Sequence, residues 1–128
     1  MHRGCTQLSR RSKHARTRRC TIRLNRLVQD LMPTYISLVQ FTDKGIQAAK
    51  QTTQRIADWA AEVQSMGVSV KQMYWTLGQY DQVCVFEAPD DETAASVLLT
   101  ADMLGNIRTQ TMRAFTTSEM DKILAKVP

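Results

Sequence analysis

No histidine follows residue 14 in this 128-residue chain. That absence removes several chemistries from the region where a fold can form. Cys84 has no imidazole to act as its base, so no Cys–His nucleophile can arise there. Nor is there a histidine to hold a haem iron or complete an ordinary zinc site. His2, Cys5, His14 and Cys20 are ligand types near the start, but their spacing fits no zinc-finger pattern. Cysteine is scarce as well. Cys5, Cys20 and Cys84 form an odd, scattered set rather than a disulfide framework, which points to the reducing cytoplasm. No apolar run reaches the ~18 residues of a membrane helix, and the first residues lack the apolar stretch of a secretory signal. No cofactor and no metal are expected.

Positive charge is present but confined to one end. Residues 1–31 hold nine Lys/Arg and one acid, whereas residues 32–128 hold eight Lys/Arg and eleven acids. The net charges are +8 and −3, within a total of +5. A domain at −3 has no electrostatic reason to seek phosphate backbone, so nucleic acid is a partner only if the basic leader is translated. That leader carries repelling like charges and few large apolar groups, and it is expected to be disordered. The charge flips sign at Met32, and the first strand pattern begins there. Gln29-Asp30 can be encoded with AGGA, a ribosome-binding sequence, just upstream. The expectation is a start at Met32; a transit peptide or a nucleic-acid arm is the competing reading of residues 1–31.

From Met32 the periodicities read as β-α-β, β-α-β and a last helix. Residues 34–41 form a strand. Thr42 or Asp43 caps a helix carrying Ile46, Ala49, Ile56, Trp59, Ala60, Val63 and Met66, with a break expected near Thr52-Thr53 and an end at Gly67. Residues 68–77 and 82–88 are the second and third strands, joined by the turn Gly78-Gln79-Tyr80-Asp81. Asp90 caps a helix through Ala94, Val97, Leu98, Ala101 and Leu104 that ends at Gly105. Residues 107–115 form the fourth strand, and Thr116-Thr117-Ser118-Glu119 is a capping box for a helix with Met120, Ile123, Leu124 and Val127 on one side.

This order predicts an α+β fold of the ferredoxin-like βαββαβ kind, with a four-stranded antiparallel sheet and a C-terminal helix. A sheet covered on one side should alternate apolar with polar. Here Tyr35, Val39 and Phe41 oppose Ile36 and Leu38, and Val83 and Val85 oppose Cys84 and Phe86. Both faces ask for burial, so a homodimer through the open sheet face, a dimeric α+β barrel, is expected.

Several short motifs recur in an ordered set: Met32-Pro33-Thr34-Tyr35-Ile36-Ser37-Leu38, Phe41-Thr42-x-x-Gly45-Ile46, Gly78-x-Tyr80-Asp81, Glu87-Ala88-Pro89-Asp90-Asp91, and the run from Gly105-Asn106 to Phe115-Thr116. Together they resemble the GYD-domain family across residues 32–128. The resemblance implies a small, bacterial-type dimeric α+β barrel and brings no reaction with it.

The residues that could hold a ligand are Tyr74, Gln79, Tyr80, Asp81, Arg108, Thr109, Thr111 and Arg113. Gly78-Gln79-Tyr80-Asp81 either lines a pocket at the sheet end or is simply a hairpin turn. Alternation puts Thr109, Thr111 and Arg113 on one face of the fourth strand and Arg108, Gln110 and Met112 on the other. A buried arginine needs a carboxylate such as Asp81 or Glu87, or an anionic ligand. Tyr35, Met73, Tyr74 and Trp75 form either an aromatic box or ordinary core and interface. Three functions compete: a dimer binding a small anionic or aromatic ligand, a cofactor-independent oxygenase or isomerase, and a nucleic-acid partner acting through the leader. A cavity under about 300 Å³, the lower end of usual ligand pockets, favours a structural or protein-interaction module instead.

Overall fold

The two-sided apolar run Thr34–Phe41 becomes β1, an inner strand of a four-stranded sheet in the computed structural model. The structure describes Arg23 and residues 31–128, so the expectations for the leader fall almost wholly outside the described residues. After β1 come α1 (Asp43–Gln47), a 3-10 turn (Ala49–Gln51), α2 (Thr52–Gln64), β2 (Ser69–Trp75), β3 (Gln82–Glu87), α3 (Asp91–Met103), β4 (Ile107–Ala114) and α4 (Thr117–Leu124). The strands lie in the order β2-β3-β1-β4, and every neighbouring pair is antiparallel. The α+β, ferredoxin-like arrangement is therefore the one the chain adopts.

Local chemistry sets the element ends. Thr42 caps α1, its hydroxyl accepting from Gly45 N at 3.1 Å. The helix breaks as expected, with α2 beginning at Thr52. Asp90 caps α3 by accepting from Thr93 N at 2.7 Å. Thr116 and Glu119 form the reciprocal capping box of α4. Gly67 and Gly105, at φ +82° and +80°, supply the left-handed backbone that ends α2 and α3. Strand β2 stops at Trp75, two residues short of expectation. Thr76 leaves the ladder to close the loop instead, its N–H donating to Asp81 O at 2.9 Å and its hydroxyl to Tyr80 O at 2.6 Å. Lys71 is the extra residue of a bulge in β2 and pairs with Glu87 at 3.2 Å. A charged bulge on an edge strand discourages further strand pairing.

One sheet face packs on the helices. Tyr35, Ser37 and Val39 of β1 lie opposite Phe86, Cys84 and Gln82 of β3, and all six are buried. Val63 of α2 and Ala94 and Val97 of α3 complete this core. Tyr35 and Phe86 stack with ring centroids 5.3 Å apart. Phe86 is fully enclosed, and burying such a ring contributes about 2–3 kcal/mol. The opposite face pairs Ile36 with Val85 and Leu38 with Val83, all only half-buried, beside exposed Tyr74 and Met112. The apolar side of α4 is exposed too, at Met120, Ile123 and Leu124.

Candidate functional site

The loop between β2 and β3 folds back onto β1. Asp81 N donates to Val39 O at 2.8 Å, and Asp81 Oδ2 accepts from Phe41 N at 2.7 Å. Gln40 Nε2 donates to Gln79 O at 2.8 Å, and the Tyr80 hydroxyl to Gln110 Oε1 at 2.7 Å. The Asp81 carboxylate thus closes the end of β1 rather than bonding within its own turn.

The chain then makes a second junction. Thr42 N donates to Asn106 O at 3.1 Å, and the Thr42 hydroxyl donates to Gly105 O at 2.5 Å. Lys44 Nζ reaches Leu104 O, a carbonyl at the end of α3, at 2.9 Å. Gly45 is buried so close to this loop that a Cβ would sit 1.8 Å from Asn106 O. The residues of the Phe41-Thr42-x-x-Gly45, Gly78-x-Tyr80-Asp81 and Gly105-Asn106 motifs therefore meet at one end of the sheet and lock its two halves together.

The eight residues singled out from sequence separate. Gln79, Tyr80, Arg108 and Thr109 border one hollow of about 230 Å³, with Leu38, Gln40 and Gln110. Asp81 stands beside it, held by β1. Tyr74 lies exposed on the open face, opposite Val83. Thr109 and Thr111 bond inside the fold: the Thr109 hydroxyl donates to Asp102 Oδ2 at 3.1 Å, and that of Thr111 to Ser37 Oγ at 2.9 Å.

Arg113 finds its carboxylate in Glu119, 3.5 Å away, not in Asp81 or Glu87. Its guanidinium also donates to Thr34 O and Ala114 O and lies over the Phe115 ring, 4.7 Å from the centroid. The Tyr35 hydroxyl donates to Asp91. Burial first, then that hydrogen bond, push the Tyr35 hydroxyl up to about 12. Tyr35 faces the helices and Tyr74 the open side, so of the two readings of these aromatics a box holding both is not the one the fold makes.

A third feature lies between helices and sheet. A hollow of about 80 Å³ is bordered by Arg55, Ile56 and Trp59 of α2, Leu98 and Ala101 of α3, and Ser37, Gln82, Cys84 and Phe86 of the sheet. Burial pushes the Cys84 thiol up to about 12, which keeps it protonated and inert at neutral pH. The sequence marks Trp59 only as part of the helix's apolar side and does not single out Arg55. Their signal is an arginine one turn before a tryptophan on the apolar side of a helix. The hollow between α2 and β2, about 260 Å³, is lined by residues such as Ala60, Gln64 and Val68.

Comparisons with known proteins show what the chain is similar to. Residues 35–124 match the family profile of the GYD domain. A Thermus thermophilus protein named "Glutamine synthetase and cystathionine beta-lyase binding protein" is 34% identical over 90 residues, which make up 70% of this chain and 95% of that protein. Among solved structures, the crystal structure of Mycobacterium tuberculosis leucine response regulatory protein (LrpA) aligns with 81% of this chain and 70% of its own, at 16% identity and a TM-score of 0.47. The extent of the profile match and the Thermus relative establish that this chain belongs to the GYD-domain family.

Proposed function

We propose that the chain is a homodimeric, cytoplasmic protein-binding module that docks on enzymes of amino-acid metabolism and performs no chemistry at its GYD turn. The observation that carries this reading is the half-buried patch of Ile36, Leu38, Val83 and Val85 on two inner strands. Such a patch is costly to leave in water, and a second copy of the same sheet is its natural cover. The Thermus relative, named for binding glutamine synthetase and cystathionine beta-lyase, supports the class of partner. The polar atoms of Asp81, Thr109, Thr111 and Arg113 are already engaged by the fold, which favours binding over acid–base catalysis. The hollows of about 80, 230 and 260 Å³ are all smaller than the usual ligand pocket of ~300 Å³ or more.

The test is co-elution on size exclusion of the purified chain with glutamine synthetase and with cystathionine beta-lyase from its own source. A complex with either supports the proposal; two independent peaks in both cases reject it.

A second reading rests on the hollow that gathers Gln79, Tyr80, Arg108 and Thr109. With exposed Arg108 at its rim, it suits a small anion. Thermal-shift screening of small acids should then find stabilisation that Arg108→Ala abolishes; equal shifts in both proteins remove this reading.

A further inference from the structure

Arg108 stands on the open face of the sheet. The register sets it opposite Gln40, and Gln110 opposite Leu38, so all four lie on the side away from the helices. Arg108 is exposed and forms no ion pair among the described residues. Two carboxylates expected as its partners are engaged elsewhere. Asp81 Oδ2 accepts from Phe41 N at 2.7 Å. Glu87, at the far end of the face opposite Thr34, is held by Lys71 at 3.2 Å. In the hollow of about 230 Å³ bordered by Arg108 and Gln110, the Tyr80 hydroxyl donates to Gln110 Oε1. That bond fixes the amide and leaves its NH2 as a second donor. The hollow also has Leu38 in its wall, and Leu38 belongs equally to the apolar patch of the open face. The hollow and the patch thus share a wall.

Covering the patch with another sheet takes Arg108 out of water on the same face. A cation removed from water needs an anion, and the two-fold axis of such a dimer brings two of these cations into one interface. We propose that the hollow takes a small monocarboxylate with a compact apolar body, held by Arg108 and the Gln110 amide against Leu38, and that the second copy closes over it, so that ligand binding and dimerisation strengthen each other. The inference rests on both readings above, the homodimer and the anion-binding hollow. One guanidinium balances one negative charge, which favours a carboxylate over a doubly charged phosphate. The size follows from the volume. A cavity of about 150 Å³ takes benzene, so about 230 Å³ suits roughly nine heavy atoms, the size of benzoate. The coupling is reciprocal: whatever the ligand adds to the stability of the dimer, the dimer adds to the affinity for the ligand.

The test uses the full chain and sodium benzoate, with binding and assembly read separately. Amide shifts of residues 108–110 report binding, and sedimentation velocity at constant ionic strength gives the dimer dissociation constant. The expected result is a saturable shift at Arg108 and Gln110, together with a dimer dissociation constant lower by about fivefold or more at saturating benzoate. Benzyl alcohol, alike in size but uncharged, and sodium chloride should leave the dimer unchanged. Arg108→Gln replaces an exposed side chain, so it should keep a native circular dichroism spectrum. It should dimerise at least as tightly as the ligand-free parent, since it buries no unpaired charge, and should lose the benzoate response. Saturable benzoate binding with an unaltered dimer constant overturns the coupling and leaves the anion-binding reading standing. No saturable shift with benzoate overturns the choice of ligand; if the other small acids fail to stabilise the protein as well, the anion-binding reading falls with it. A benzoate response kept by Arg108→Gln, or matched by benzyl alcohol, overturns the assignment of the site. A parent that is monomeric with and without benzoate rejects the dimer and this inference together.

Discussion

Gly45 has neither a turn nor a positive φ to explain it; what excludes every other residue is the carbonyl of Asn106 in the place where its Cβ would be. Gly45→Ala must push apart α1 and the loop before β4. Overpacking of this kind costs about 1–3 kcal/mol or more, and a urea titration that finds Gly45→Ala as stable as the parent contradicts the packing described. Tyr35 gives a prediction in pH. Its folded pKa, about 12, lies above its ordinary value of 10.0, so the folded state keeps the proton more tightly. The stabilisation is complete below pH 10 and is lost as pH rises towards 12. Tyr35→Phe keeps the stack on Phe86, and its stability should fall less steeply over that window; parallel curves for the two proteins would mean the hydroxyl does not titrate as described. Alternation in the sequence puts Tyr35 on one face with Val39, but with both faces of β1 apolar it does not say which of them meets the helices. The partner of Arg113 was not legible either. Glu119 reaches back six residues from a helix cap, and strand periodicity says nothing about such a contact.

Helix α4 is defined at its start by side chains and unsupported along its side. Glu119 Oε2 accepts from Thr116 N at 2.7 Å, and this bond to the backbone, ahead of those from the Thr116 hydroxyl and Arg113, holds the Glu119 carboxyl below its usual value. A lowered carboxyl stabilises the native state above its unfolded pKa and loses that contribution as pH falls through the folded one. The N-terminus of α4 should therefore fray in acid. Glu119→Gln retains a hydrogen-bonding cap but does not titrate, so amide shifts of residues 117–120 should become flat with pH; an unchanged acid transition would trace the fraying to another group. Elements of this kind were the most legible part of the chain. Thr116 and Glu119, and Gly67 and Gly105, mark helix ends through contacts within one turn, and the structure has them there. The second junction was hidden, since Thr42 and Gly105 lie 63 residues apart and only loop closure brings them together. The hollow beside Arg55 and Trp59 was hidden differently: their helix was read correctly, but its apolar periodicity does not reveal where packing leaves a gap.

For the whole molecule, the main question is what covers the outer side of the sheet. Leu38→Lys places a charge in the middle of the Ile36, Leu38, Val83 and Val85 patch without touching the helix-facing core. The expected outcome is a monomer with native far-UV circular dichroism, against a parent dimer burying on the order of 800 Å² per subunit. Light scattering that finds a monomeric parent at micromolar concentration refutes the dimer. The position of β1 carries a further consequence. Among the described strands it is the first to be synthesised, yet it pairs with the two made last, and Ser37 must wait for Thr111, 74 residues later. At about 5–20 residues per second, that delay is on the order of 4–15 s. A strand that is apolar on both sides has no neighbour until β3 is made and only one until β4 follows, so vectorial synthesis leaves β1 in need of a chaperone at the ribosome. Nascent chains stalled before Ile107 should be cleaved readily in β1 by added protease, and chains released at full length should resist.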